Sequence, residues 1–214
     1  GHAQRANGGF GLEECSGAHN IFLEMKAPEA WWCCTMRGSE GLVRAAEYSF
    51  MRDRSTLVLP FFNSGSVEFN GGVFDVESAY PYCGKVEITV VRRPKAGTSI
   101  ALFKPSWAME AELTLDGKVV RTNEADGFLR VDGTMEQNAT FVYTFSQQPR
   151  LVPTHNRNTV GNKQKVYQGP LLLAAKTKKD VTLSLPADPQ FRWDQTKHCA
   201  LVTGSEITLY PIDD

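Results

Sequence analysis

The chain has 214 residues, long enough for one large domain or one domain with a smaller appendage. Hydrophobic residues make up 42% and charged residues 22%, which are ordinary values for a globular protein and allow a real core without disulfides or metals. With 23 basic against 24 acidic residues the net charge is -1, so no global field favours nucleic acid or an anionic membrane.

Gly1 to Gly11 hold four glycines without periodicity and read as a loop or frayed end. The opening residues Gly1-His2-Ala3-Gln4-Arg5 lack an apolar core of the secretory kind, which leaves the compartment open between cytoplasm and periplasm. Ala18 to Lys26 is expected to form a short helix ending before Pro28. A second helix is expected from about Ser39, a plausible N-cap, to about Arg52. There Val43, Ala46 and Phe50 fall at helical spacing with Leu42 beside them.

After Asp53 the pattern changes. Thr56-Leu57-Val58-Leu59 precedes Pro60, and Asn70-Gly71-Gly72 separates Ser66–Phe69 from Val73–Val76 in hairpin grammar. Lys85 to Val91 alternates, with Val86, Ile88 and Val90 on one face. Ser99–Phe103 and Met109–Leu115 continue the series, and Asp116-Gly117 turns into Lys118-Val119-Val120. Phe128–Val131, Ala139–Phe145, Leu171–Ala175, Val181–Leu185 and Ile207–Tyr210 complete it. Gln147 to Gln164 is polar and irregular and reads as a long loop. The expected fold is mainly β: an antiparallel β-sandwich over residues 55–214, preceded by a short helical and loop segment over residues 1–54. The longest apolar run, Leu171 to Ala175, is far short of the ~20 residues that span a bilayer.

The five cysteines are Cys15, Cys33, Cys34, Cys83 and Cys199, an odd number without the spacing of a disulfide framework. Three of them fall in the N-terminal third with Glu13, Glu14 and His19. If Cys33 and Cys34 lie close to a helix N-terminus, its free N–H groups favour thiolate over thiol. Glu13, Cys15, Cys33 and Cys34 have the composition of a tetrahedral zinc shell, although their spacing is not that of a zinc finger. The plainer alternative makes these cysteines small buried hydrophobes beside Trp31 and Trp32. Trp31, Trp32, Tyr80, Tyr82, Trp107 and Trp193 have the flat apolar rings that stack on sugars, yet such rings in a sandwich more often fill the core. His155 and His198 are isolated in the β region. Asn138-Ala139-Thr140 matches a glycosylation sequon, a weak signal on its own.

Several segments, in order, resemble the C-terminal part of the β-L-arabinofuranosidase-like glycoside hydrolases, family 127 and its relatives. Val166-Tyr167-Gln168-Gly169-Pro170-Leu171-Leu172-Leu173-Ala174 is similar to the family's "RGPLVYA" strand. Lys104-Pro105-Ser106-Trp107-Ala108 followed by Leu115-Asp116-Gly117 is similar to its "RIPSWA … VNG" hairpin. Gly127-Phe128-Leu129-Arg130-Val131 resembles "GYLxI", with Met135 where a tryptophan is usual. Tyr80-Pro81 with Gly84 to Val90 resembles "YPWDGKVxITV". Trp31-Trp32-Cys33-Cys34, followed by Gly38 and a helix to Tyr48, is similar to the cysteine motif before the last helix of the family's barrel.

The resemblance implies a retaining glycosidase with carbohydrate as its partner. Cys33 would be the thiolate nucleophile and zinc would be held by one glutamate and three cysteines; Trp31 and Trp32, beside Cys33, are the rings expected to meet the sugar. By position Cys34 is a zinc ligand beside Cys33, and Glu13 and Cys15 match the upstream Glu-x-Cys. Residues Asn7 to Gly11 alternatively match the loop just before the cysteine motif, which would make Glu13 and Cys15 coincidental. Family members carry an (α/α)6 barrel, with the general acid/base glutamate, ahead of the sandwich. Only its last helix or two fit before Ser55, so the expectation is a C-terminal piece, a shortened relative, or one chain of a split enzyme completed by another chain. A non-catalytic carbohydrate-binding or structural sandwich is the competing expectation, and a thiol-based metal-binding module is a third.

Overall fold

A computed structural model of the chain describes residues 2–4, 10–12, 32–153, 164–176 and 184–212. The chain divides into two compact units, Gly1–Met51 and Arg52–Asp214. In the first unit, β1 (His2–Gln4) and β2 (Phe10–Leu12) pair antiparallel, with Ala3 opposite Gly11, so part of the expected frayed end is a small ladder. The helix expected over Ala18 to Lys26 lies outside the described residues.

The helix α1 runs Trp32–Glu47, which corrects the expected start at Ser39 and end at Arg52. Ser39 reads as an N-cap, but the helix runs through Gly38, since a single glycine inside a helix costs only ~1 kcal/mol and does not stop propagation. At the other end the Ser49 amide donates to the Ala46 carbonyl at 3.2 Å and the Ser49 hydroxyl to the Ala45 carbonyl at 2.8 Å, closing the last turn. Arg44 pairs with Glu47 at 2.9 Å and Glu40 at 4.0 Å, a solvated charge ladder. Leu42 and Val43, the expected apolar stripe, are 59% and 58% exposed.

The second unit is built of strands. β3 (Met51–Asp53), β4 (Thr56–Leu59), β5 (Gly65–Phe69), β6 (Gly72–Ser78), β7 (Lys85–Arg92), β8 (Ser99–Phe103), β9 (Met109–Leu115) and β10 (Lys118–Val119) come first. β11 (Asn123–Ala125), β12 (Phe128–Asp132), β13 (Thr140–Ser146), β14 (Pro149–Pro153), β15 (Gln164–Gln168), β16 (Leu171–Ala174), β17 (Phe191–Asp194), β18 (Cys199–Val202) and β19 (Thr208–Pro211) follow. One six-stranded sheet has the order β10-β9-β13-β7-β6-β5, and a five-stranded sheet has the order β11-β12-β8-β4-β3. A second six-stranded sheet runs β14-β15-β16-β19-β18-β17. Among the described residues the registers are antiparallel apart from that of β4 and β8, which run parallel with Leu57 opposite Ile100.

The alternation read from the sequence explains the core. Phe74, Val76, Val86, Ile88, Val90, Leu113, Phe141 and Tyr143 bury one face of the first sheet, and Leu57, Leu59, Ile100, Leu102, Leu129 and Val131 bury one face of the second. The third sheet has its own smaller core of Val166, Leu173, Ala200, Val202 and Leu209. Three hairpins turn on an Asn/Asp-Gly pair with both residues at positive φ: Asn70-Gly71 (49° and 80°), Asp116-Gly117 (48° and 78°) and Asp126-Gly127 (53° and 78°). Such two-residue turns match the right-handed twist of the strands they join.

The expected loop from Gln147 to Gln164 is shorter than read. Pro149–Pro153 forms an edge strand on Gln164–Gln168, with Leu151 opposite Val166. Its prolines hid it, and prolines belong on edges, where one side of the strand needs no ladder donors. Most of the expected strand Val181–Leu185 lies outside the described residues. No helix among the described residues is long and apolar enough to cross a membrane.

Candidate functional site

The cysteine motif opens α1. Cys33 and Cys34 stand in its first turn instead of ahead of it, in the stretch where backbone N–H groups have no partner within the helix. Trp32 is the first residue of the same helix, whereas Glu13, Cys15 and Trp31 lie outside the described residues. Among the described residues no group of three or more His, Cys, Asp or Glu side chains is placed to hold a metal ion.

The aromatic residues of the second unit do not make one platform. Tyr80 meets Phe62 edge-on with centroids 5.2 Å apart, and Trp107 meets Phe145 at 5.9 Å, so both rings serve packing. Arg150 lies over the Trp107 ring at 5.2 Å and the Tyr167 ring at 5.5 Å, and donates from Nη1 to the Gly169 carbonyl at 2.7 Å. Partial burial pulls the Arg150 pKa down from its ordinary value. Close by, the Gln168 Nε2 donates to the Gln147 carbonyl at 2.9 Å. Trp193 donates through Nε1 to Gln195 Oε1 at 3.0 Å. Tyr82 stacks on His198, which makes that histidine a packing element. His155 lies outside the described residues.

Sequence reading missed a cavity of about 430 Å3 at one end of β6 and β7, lined by Ser64, Glu77, Ser78, Ala79, Cys83, Lys85 and Glu87. Glu77 and Glu87 are Cα partners across the β6–β7 ladder. Lys85 Nζ sits 3.3 Å from Glu87 Oε2. The signal lay in the alternation itself: Glu77 falls on the polar face of Val73–Ser78 and Glu87 on that of Lys85–Arg92. Only the register of the two strands brings the carboxylates opposite each other. Cys83 is a free thiol on the connecting turn, and Cys199 is free and buried, its pKa pushed up first by burial and then by Asp194.

The six- and five-stranded sheets, followed by the second six-stranded sheet, form an arrangement shared with solved structures. Residues 56–145 match the family model "Beta-L-arabinofuranosidase, GH127 middle domain". Among solved structures, a GH127 β-L-arabinofuranosidase from Geobacillus stearothermophilus T6 is similar with a TM-score of 0.65 and 18% identity, covering 84% of this chain and 34% of that one. A chain described as a glycoside hydrolase gives a TM-score of 0.67 at 19% identity, covering 78% of this chain and 32% of that one. A GH127 β-arabinofuranosidase gives 0.67 at 16% identity, covering 84% and 36%. The chain thus spans about a third of the length of these structures. No curated protein matches the sequence. The resemblance to arabinofuranosidase-like glycoside hydrolases read from the motifs holds, and so does the mainly β fold.

Proposed function

We propose that this chain carries the β-rich part and the cysteine motif of a glycoside hydrolase acting on L-arabinofuranosides or related glycans. The observation that supports it is the match of residues 56–145 to the GH127 middle domain, preceded by a helix that opens on Cys33-Cys34. In this reading Cys33 is the nucleophile of a retaining hydrolysis, attacking the anomeric carbon as a thiolate. Three thiolates and a carboxylate, from Cys33, Cys34, Cys15 and Glu13, are a donor set suited to zinc, which would supply the positive charge that keeps sulfur ionised. Trp31 and Trp32 offer rings to the sugar. Because the chain spans about a third of the structures it matches, the proton donor to the leaving group belongs, in this proposal, to a helical domain that completes the site.

A second reading, a non-catalytic carbohydrate-binding or structural module, is favoured by the second unit's construction. Its sheets have buried cores of their own. Metal analysis separates the two. The enzymatic reading expects one zinc per chain, lost in Cys34→Ser; metal-free protein under reducing, zinc-replete conditions contradicts the zinc–thiolate assignment.

A further inference from the structure

The cavity at the end of β6 and β7 plays no part in the chemistry proposed above, and its charges are not arranged for stability. Like charges directly opposite on paired strands are destabilising. Glu77 and Glu87 are so placed, and Lys85 offsets only one of them, leaving Glu77 with no ion-pair partner among the described residues. The walls are set by hydrogen bonds from backbone amides, independent of any ligand. The Ser78 amide donates to Ser64 Oγ at 3.0 Å, the Cys83 amide to the Ala79 carbonyl at 3.0 Å, and the Ala79 amide to the Lys85 carbonyl at 3.4 Å. A rim already ordered spares a ligand the cost of ordering it. The volume, about 430 Å3, is that of a small-molecule site.

The charges also decide the ligand class. An anion would face two carboxylates, and a cation would face the Lys85 ammonium already seated on Glu87. A neutral ligand dense in hydroxyls satisfies both, donating to the carboxylates and accepting from the ammonium. We propose that this cavity, built wholly within residues 64–87, is a binding site for a neutral polyhydroxylated ligand of mono- to disaccharide size. The saccharide class rests on the arabinofuranoside reading; the cavity and its charge balance do not.

Cys83 in the wall reports occupancy. The full chain is alkylated with N-ethylmaleimide, with and without L-arabinose across the millimolar range, and the Cys83 and Cys199 peptides are quantified by mass spectrometry. L-arabinose is expected to slow alkylation of Cys83 and leave buried Cys199 unchanged. Glu77→Gln and Glu87→Gln are each expected to raise the concentration needed by about tenfold, the worth of a charged hydrogen bond. Unchanged Cys199 reactivity in these variants certifies their fold. Cys83 alkylation indifferent to L-arabinose, or slowed by spermidine instead, overturns the proposal. In Cys33→Ser the protection persists; a preparation that hydrolyses arabinofuranosides while Cys83 stays unprotected sinks the cavity proposal alone.

Discussion

The phenol ring of Tyr82 lies flat on the imidazole of His198, with centroids 4.2 Å apart and planes 17° from parallel. Gln195 Nε2 reinforces the contact by donating to the Tyr82 carbonyl at 3.1 Å. The turn between β6 and β7 is thereby tied to the turn between β17 and β18, and the third sheet to the sandwich. Stacked rings are worth about 1 kcal/mol beyond the area they bury. Tyr82→Ala is therefore expected to lower the Tm by roughly 2–4 °C in thermal denaturation, the shift for that loss in a domain of this size. An unchanged Tm contradicts the tie.

Gly84 and Gly41 make opposite predictions. A Cβ on Gly84 would collide with the Phe145 carbonyl oxygen, which is backbone and cannot move aside, and the Gly84 carbonyl accepts from the Phe145 amide at 2.9 Å. Gly84→Ala is expected to cost about 3 kcal/mol, read from denaturant midpoints at constant m-value. A Cβ on Gly41 of α1 meets nothing within 4 Å, so Gly41→Ala is expected to stabilise by up to ~1 kcal/mol.

On the alkaline side, burial pushes the Tyr143 pKa up, with Glu124's charge adding to it, and burial raises Tyr80 and Cys199 as well. These groups hold their protons more tightly in the folded chain. Their contribution is complete below the ordinary values of 9.0 for the thiol and 10.0 for the phenols, and is lost as pH rises beyond them. Tyr143 also has a buried hydroxyl without a hydrogen-bond partner among the described residues. Tyr143→Phe is expected to blunt the alkaline loss and to gain about 1 kcal/mol at neutral pH. A large neutral-pH destabilisation would show that the hydroxyl is satisfied.

On the acid side the sign reverses. The Asp194 pKa is held down first by the Lys197 amide, against some desolvation, and then by the Thr196 amide; Oδ1 accepts both at 3.0 and 3.1 Å. The stabilisation is present above the ordinary 3.8 and disappears as pH falls below it through the folded value. Asp194→Asn is expected to flatten this limb of the urea-midpoint profile, and an identical limb in the variant contradicts it.

What the sequence revealed followed physical periodicity. Thr56–Leu59, Ser99–Phe103 and Met109–Leu115 carry alternation or apolar runs bounded by turn residues, and their bounds coincide with β4, β8 and β9. Asn123–Ala125 is exposed throughout and β14 holds two prolines, so neither edge strand announces itself. Cys199–Val202 is an apolar run of four, too short to give a period. The cysteine motif was legible because its residues are contiguous. The Glu77–Glu87 pair was not, because the residues that face each other there are set by strand register.

In the proposed function, Cys33 is the nucleophile of an arabinofuranosidase-like site completed by a helical domain. The measurement is hydrolysis of an aryl β-L-arabinofuranoside by this chain combined with a candidate helical domain, alongside the same mixture carrying Cys33→Ser. Turnover is expected in the first and its loss in the second, with both chains equally folded; equal turnover by the two mixtures would contradict the assignment of Cys33.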